Sequence, residues 1–112
     1  MKSMIRKIGI LFWMLGILGY GSVRSLEIKS FIYGTESEKL STIEKLILTN
    51  NKIYIPEIGK LLDDPSKEVR SKAVYALLRI GDSSCIPYFK KACRDKWWQV
   101  RLYGMKGLVR YG

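Results

Sequence analysis

The sequence of 112 residues predicts an all-α fold, a short solenoid of paired antiparallel helices, from three observations. Residues 51–81 match residues 82–112 at nine of 31 aligned positions, and a fixed period in this range is typical of stacked helical units. Apolar residues recur at helical spacing within each copy. Pro, Asp and Gly stand where helices begin and end. The identical pairs are Ile55/Ile86, Pro56/Pro87, Lys60/Lys91, Asp64/Asp95, Val69/Val100, Arg70/Arg101, Leu77/Leu108, Arg79/Arg110 and Gly81/Gly112.

Residues 1–25 have the layout of a secretory signal peptide. Three Lys or Arg among the first seven residues precede a 13-residue uncharged run at 8–20 and then small residues up to Ser25. We expect cleavage between Gly19 and Ser25, which would leave a periplasmic or secreted protein of residues 26–112. The alternative is a retained membrane anchor at 8–23, although a spanning helix needs about 20 apolar residues. In both cases the positive start stays inside and the rest lies outside the cytoplasm.

Each copy of the repeat reads as two helices. In the first copy, Pro56 suits the first turn of a helix, where a missing N–H costs nothing. The segment 64–66 (Asp-Pro-Ser) breaks the chain and caps the next helix. Gly81 then ends that helix. The apolar face of the second helix consists of Val69, Ala73, Ala76, Leu77 and Ile80.

The second copy repeats these signals, with Pro87 at its start, Asp95 at its turn and Gly112 at its end. Gly104 and Gly107 stand inside its second helix, where each costs about 1 kcal/mol relative to Ala. Because the first copy has Ala at both positions, we expect a close approach of the paired helix there.

A degenerate third copy lies upstream. Leu46 aligns with Leu77 and Leu108, so Ser37–Asn50 is predicted to be the second helix of a unit. Its partner at 26–33 matches poorly and reads as either a short helix or an extended segment. The predicted domain is therefore 26–112, with repeats at approximately 26–50, 51–81 and 82–112.

The pattern from Asp64-Pro65-Ser66 through Val69-Arg70 to Ile80-Gly81 resembles the HEAT repeat, in its short type named after phycobilisome lyases. This resemblance implies a right-handed solenoid, related to armadillo-like folds, that serves mainly as a scaffold for protein partners. It also implies a structural role for the repeat arginines, which pair with the turn aspartates and tie one unit to the next. These residues are Asp64, Arg70, Asp95 and Arg101.

Composition excludes most catalytic chemistry. The chain has no His, which excludes Ser-His-Asp units and His-ligated metal sites, and its two Cys cannot form a four-thiolate zinc site. Cys85 and Cys93 lie eight residues apart in one predicted helix, about 12 Å at 1.5 Å per residue, which is too far for a disulfide. We expect no enzyme activity and no cofactor. The resemblance leaves open an accessory subunit of an enzyme.

Positive charge concentrates in the C-terminal half of this basic protein. Residues 65–112 carry 11 Lys or Arg and three acidic residues. One face of the second helices combines cations with aromatic rings, which favours either an anionic partner or an ordinary solvated surface. Because export argues against nucleic acid, an anionic envelope polymer or lipid head group is the expected anion. The candidate residues are Lys72, Tyr75, Arg79, Tyr103, Lys106 and Arg110.

The last repeat carries more apolar surface than one neighbouring repeat can cover. Trp97 and Trp98 diverge by about 100° on a helix, so we expect one to pack inward and Trp98 to be available to a partner. The apolar surface of this repeat predicts self-association or docking of a protein partner through the C-terminal repeat. Its residues are Trp97, Trp98, Leu102, Met105 and Val109. The sequence therefore predicts an exported, non-catalytic interaction scaffold.

Overall fold

A computed structural model describes residues 26–112, so the predicted signal segment 1–25 lies outside the described residues. Within 26–112 the chain forms six α-helices and three 3-10 turns, with no strand. Residues 26–33 form α1. The others are α2 (Glu36–Leu48), α3 (Ile55–Lys60), α4 (Lys67–Ile80), α5 (Ile86–Ala92) and α6 (Trp98–Tyr111). The 3-10 turns span Lys52–Tyr54, Leu61–Asp63 and Ser83–Cys85.

The helices form three pairs whose second members stack in one row. Helix α4 packs between α2 and α6, while α3 packs on α4 and α5 packs on α6. The first helix of each later pair lies on one side of the row. This arrangement confirms the predicted all-α solenoid.

The first pair includes a helix at 26–33, which decides between the two alternatives left by the sequence. Phe31 is buried there, and Ser30 Oγ lies 2.8 Å from Thr42 Oγ1 of α2. Lys45 Nζ donates to Glu27 Oε1 over 3.0 Å. These contacts hold α1 against α2 although its sequence matches the repeat poorly.

Helix starts follow the predicted signals. Ser66 Oγ accepts a hydrogen bond from Val69 N (3.2 Å) and caps α4. Pro56 and Pro87 occupy the first turns of α3 and α5. Helix α3 ends at Lys60, where the chain tightens into the 3-10 turn Leu61–Asp63. The second helices are therefore the long elements of the solenoid.

The core lies between the row of second helices and α3 and α5. Leu77 is completely buried, as its place in the apolar stripe predicts. The other large side chains that are fully buried are Ile43, Ile58, Val69, Val74, Cys85, Phe89 and Val100. They come from all three helix pairs, so the pairs share one continuous core.

Asn50 and Gly81 occupy aligned positions after α2 and α4, but their backbone conformations differ. At the aligned position Asn50 has a φ of 50°, in the left-handed region. Gly81 has a φ of −78° and an extended backbone. A Cβ at Gly81 would lie 2.7 Å from Cys85 Sγ. Glycine is needed at this position because the chain turns closely past the helix end.

The close approach predicted at Gly104 and Gly107 is confirmed. A Cβ at Gly104 would lie 2.9 Å from Ala92 Cβ, and a Cβ at Gly107 would overlap the ring of Phe89. Both obstacles belong to α5. Helix α5 therefore packs against α6 through the two glycines.

Candidate functional site

The row of second helices forms a groove that crosses α2, α4 and α6, and we call it the central groove. Three of the predicted partner-binding residues, Lys72, Tyr75 and Tyr103, line it together. The rings of Tyr75 and Tyr103 lie 5.5 Å apart between centroids. The complete lining is Leu40, Glu68, Ser71, Lys72, Tyr75, Gln99 and Tyr103.

The charge of the central groove is mixed. Lys72 forms an ion pair with Glu44 of α2, and Glu68 lines the groove beside it. The backbone hydrogen bond to the Glu68 carboxylate lowers its pKa below the usual range, so it stays negative at neutral pH. An anionic partner would meet negative as well as positive groups here.

The other predicted cations lie outside the groove lining. Arg79 and Arg110 are exposed, and the Arg110 guanidinium lies 5.4 Å from the ring centroid of Tyr111. Lys106 Nζ lies 6.0 Å from the centroid of Tyr103. Lys106 and Arg110 thus lie near aromatic rings while their charges remain open to solvent.

The groove also contains a polar group that the sequence analysis missed. Ser71 is buried, and within the described residues its hydroxyl has no hydrogen-bond partner. Most buried polar groups in proteins are paired. The aligned residues Leu40 and Leu102 are apolar, so the repeat pattern gave no reason to single out a hydroxyl at this position.

The two adjacent tryptophans separate as predicted. Trp97 packs against the core, and Lys67 Nζ lies 3.9 Å from its ring centroid. Trp98 is 55% exposed. The two rings remain neighbours, 6.2 Å apart between centroids.

Trp98 belongs to an apolar strip on the outer side of α6, which we call the C-terminal surface. Its other members are Leu102, Met105 and Val109, which are 36%, 51% and 87% exposed. Successive members are three or four residues apart, so they share one helix face. The predicted excess of apolar surface on the last repeat is thus concentrated on a single helix.

The repeat arginines and aspartates do not all pair in the same way. Arg70 Nε and Nη2 donate to the carboxylate of Asp95 over 3.0 and 3.3 Å, joining the second repeat to the third. Asp64 accepts instead from Lys39 Nζ of the first repeat, over 2.5 Å. Arg101 Nη1 donates to the backbone carbonyl of Asp95 over 2.9 Å. Among residues 26–112, Arg101 has no ion pair with a carboxylate.

Both cysteines are free thiols. Cys85 is completely buried, and burial raises the pKa of its thiol. Cys93 is only half-buried, although it aligns with the buried Leu62. Neither cysteine belongs to a cluster of metal-binding side chains anywhere in the described part of the chain.

The helices between residues 26 and 112 are each too short or too polar to cross a membrane. A family model for HEAT repeats matches residues 36–110, which spans α2 to α6. The chain belongs to the HEAT-repeat family. HEAT repeats generally mediate protein–protein interactions, and the family is typically non-catalytic. None of the curated proteins compared with this chain matches it.

Proposed function

We propose that this HEAT-repeat protein is an exported, non-catalytic scaffold that binds a protein partner through its C-terminal surface. The observation that carries the proposal is the strip of four apolar side chains on one helix, Trp98, Leu102, Met105 and Val109. Contiguous apolar patches on soluble domains usually mark interaction sites. A half-exposed Trp is the kind of side chain that contributes most to such interfaces.

The test compares Trp98→Ser with Tyr33→Ser, which removes an exposed aromatic side chain from α1, in the first helix pair. Immobilised protein should capture a saturable partner from an envelope extract, and Trp98→Ser should weaken that capture at least tenfold, about 1.4 kcal/mol. Tyr33→Ser should leave it unchanged. Equal capture by all three proteins would contradict the proposal. Light scattering after size-exclusion chromatography shows whether the captured partner is a second copy.

A second candidate is binding of an anionic polymer or lipid head group by the exposed cations. The excess of basic residues between 65 and 112 favours it, although Glu44 and Glu68 reduce the positive charge near the groove. Retention on dextran sulfate should then fall steeply with salt, because exposed charges are screened within about 10 Å at 0.1 M. Removal of Arg79 and Arg110 together should reduce retention more than removal of Lys29 and Lys52.

Export is part of the proposal and rests on the layout of residues 1–25. The mature N-terminus should lie between Gly19 and Ser25 when the native protein is examined by mass spectrometry. An intact Met1 in the membrane fraction would favour the anchor at 8–23 instead. We also propose that the repeats are of the short phycobilisome-lyase type, because the pattern from Asp64-Pro65-Ser66 to Ile80-Gly81 resembles that type.

A further inference from the structure

The first helices of the three pairs, α1, α3 and α5, lie on one side of the row of second helices. Helix α5 meets α6 where Ala92 faces Gly104. In the first pair the aligned residues Ser30 and Thr42 are in contact, with 2.8 Å between their hydroxyl oxygens. Because the register is the same, α1 packs on α2 from the side on which α5 packs on α6. Helix α3 packs on α4, which lies between α2 and α6.

The exposed sides of these three helices form one surface, which we call the first-helix surface. Position 29 of α1 and the aligned positions of α3 and α5 are all Lys, and all three are exposed. Further exposed cations follow on α5. The residues that define the surface are Lys29, Ile32, Lys60, Lys90, Lys91 and Arg94.

Charge divides the two sides of the solenoid. Within residues 26–112 the exposed glutamates all belong to second helices, whereas Glu27 of α1 is buried and Glu57 of α3 is only partly exposed. The first-helix surface carries five exposed Lys or Arg. An anionic ligand therefore meets less repulsion here than in the central groove. The exposed glutamates of the second helices are Glu36, Glu38, Glu44 and Glu68.

A groove between the turn Leu61–Asp63 and α5 lies among these cations. The buried side chains of Leu62 and Ala92 line it. Lys90 and Arg94 line it as well, and within the described residues neither has an ion pair. The groove thus combines an apolar lining with two positive charges that no carboxylate compensates in this part of the chain.

The two carboxylates that line the groove are bound by other cations. Asp63 accepts a hydrogen bond from Lys91 Nζ over 2.7 Å. Asp95 accepts from Arg70 over 3.0 and 3.3 Å. Both negative charges are compensated, so the groove keeps a net positive charge.

Exposed apolar side chains extend the first-helix surface onto α1. Ile32 aligns with the exposed charged residues Asp63 and Arg94, yet it is 60% exposed, and the adjacent Tyr33 is 82% exposed. Cations beside exposed apolar side chains match the boundary of an anionic bilayer, where phosphates lie above acyl chains. A soluble polyanion has no apolar layer for Ile32 to enter, so the combination favours a bilayer.

We propose that the first-helix surface binds an anionic lipid bilayer, with a lipid phosphate in the groove beside Lys90 and Arg94 and with Ile32 in the acyl region. The inference goes beyond the proposed function, because it uses no residue of the C-terminal surface. It also differs from the second candidate function in the cations that it requires.

The experiment measures sedimentation of the full chain with lipid vesicles. Phosphatidylcholine vesicles with about 30% phosphatidylglycerol are compared with vesicles of phosphatidylcholine alone. The neutral vesicles measure whatever residues 1–25 contribute, since these residues are the same in every variant. We expect partitioning to the anionic vesicles to be at least about tenfold stronger, and the difference to shrink with salt.

Two triple variants with the same loss of charge locate the binding surface. One replaces three exposed cations of the first-helix surface by Gln, and the other replaces three exposed cations of α4 and α6. The first should weaken partitioning to anionic vesicles at least about tenfold, because each cation held against an anionic bilayer contributes. The second should weaken it less than about threefold, because its cations face away from the bilayer. The variants are Lys60→Gln, Lys90→Gln and Arg94→Gln against Arg79→Gln, Lys106→Gln and Arg110→Gln.

A second pair of variants tests the apolar contact. Ile32→Ser should weaken partitioning to anionic vesicles about threefold or more, because it removes the side chain that enters the acyl region. Leu48→Ser, which removes a 77% exposed side chain from α2, should leave it unchanged. Circular dichroism verifies that each variant keeps its helices.

Three results would overturn the inference. The full chain could bind anionic vesicles no better than neutral ones. The two triple variants could lose binding equally, which would mean that net charge alone is responsible. Binding could be insensitive to Ile32→Ser, which would favour a soluble polyanion as the ligand. Trp98→Ser should bind vesicles as the unmodified chain does, so failure of the scaffold proposal is distinguishable from failure of this one.

Discussion

The helix pairs α3–α4 and α5–α6 follow one sequence pattern but fill their shared core differently. Ile58 and Ala76 are both completely buried in the first, and at the aligned positions of the second Phe89 packs against Gly107. The larger ring also stacks on Tyr111, with centroids 5.8 Å apart. The second pair thus has a larger side chain on α5 and a smaller residue on α6 at the aligned positions. This compensation keeps the total core volume similar, as a close-packed core requires.

The two pairs differ more at their outer edges. Arg70 and Val74 of α4 are buried beneath α6, whereas Arg101 and Met105 at the same positions of α6 are partly or half exposed. The difference does not come from the repeat pattern, which is the same in both helices. It shows that a residue's burial in a solenoid depends on whether another unit covers it.

The largest expected effect on stability is the loss of the buried side chain of Leu77. Leu77→Ala should lower the free energy of unfolding by about 2–5 kcal/mol, because Leu77 is completely buried and its removal leaves a cavity. Leu108→Ala should cost less, since Leu108 is only half-buried at the same position of α6. Urea denaturation measures both. Equal losses for the two variants would contradict the difference in burial between Leu77 and Leu108.

A smaller effect is expected at the ion pair between the repeats. Arg70→Ala should lower the free energy of unfolding by about 2–3 kcal/mol, because it leaves the partly buried carboxylate of Asp95 without its charged donor. Arg101→Ala should cost less than about 1 kcal/mol, since Arg101 lacks an ion pair among the described residues. The same denaturation experiment at low and high salt provides the check. A larger loss for Arg101→Ala would contradict the assigned difference between the two edges.

The smallest of the three effects tests whether the sizes of Phe89 and Gly107 compensate each other. Gly107→Ala should destabilise the fold by about 1–3 kcal/mol, although Ala favours a helix over Gly by about 1 kcal/mol. The cause is overlap of the new Cβ with the ring of Phe89. Adding Phe89→Ile recreates the combination of Ile58 and Ala76 and should recover part of the lost stability. A double-mutant cycle that finds no coupling between Gly107→Ala and Phe89→Ile would refute this compensation.

Much of the fold could be predicted from the repeat alone. The turn at Asp64 and the small residues at 104 and 107 followed from local signals and from the alignment of two copies. The helix at 26–33 could not be decided, because its residues match the repeat poorly. Its ordering comes from Phe31 in the core and from contacts of Ser30 and Glu27 with α2.

The candidate site was predicted only in part. Trp98, Met105 and Val109 were recognisable as excess apolar surface, because one neighbouring repeat cannot cover them. The ion pair of Lys72 with Glu44 was not recognisable, since the two residues are 28 positions apart and meet only when α2 packs on α4. The Ser71 hydroxyl, which has no hydrogen-bond partner within residues 26–112, was missed because the aligned residues Leu40 and Leu102 are apolar.

The sequence by itself determined the period, the all-α architecture and the positions of the turns, because these depend on residues close together in the chain. The tertiary structure alone decided which equivalent positions are covered and which cation meets which carboxylate. Lys39, Arg70 and Arg101 share one position in the repeat, yet two bind an aspartate and one binds a carbonyl. The physical reason is that burial and ion pairing between repeats depend on the next unit in the stack, which an alignment of repeats does not contain.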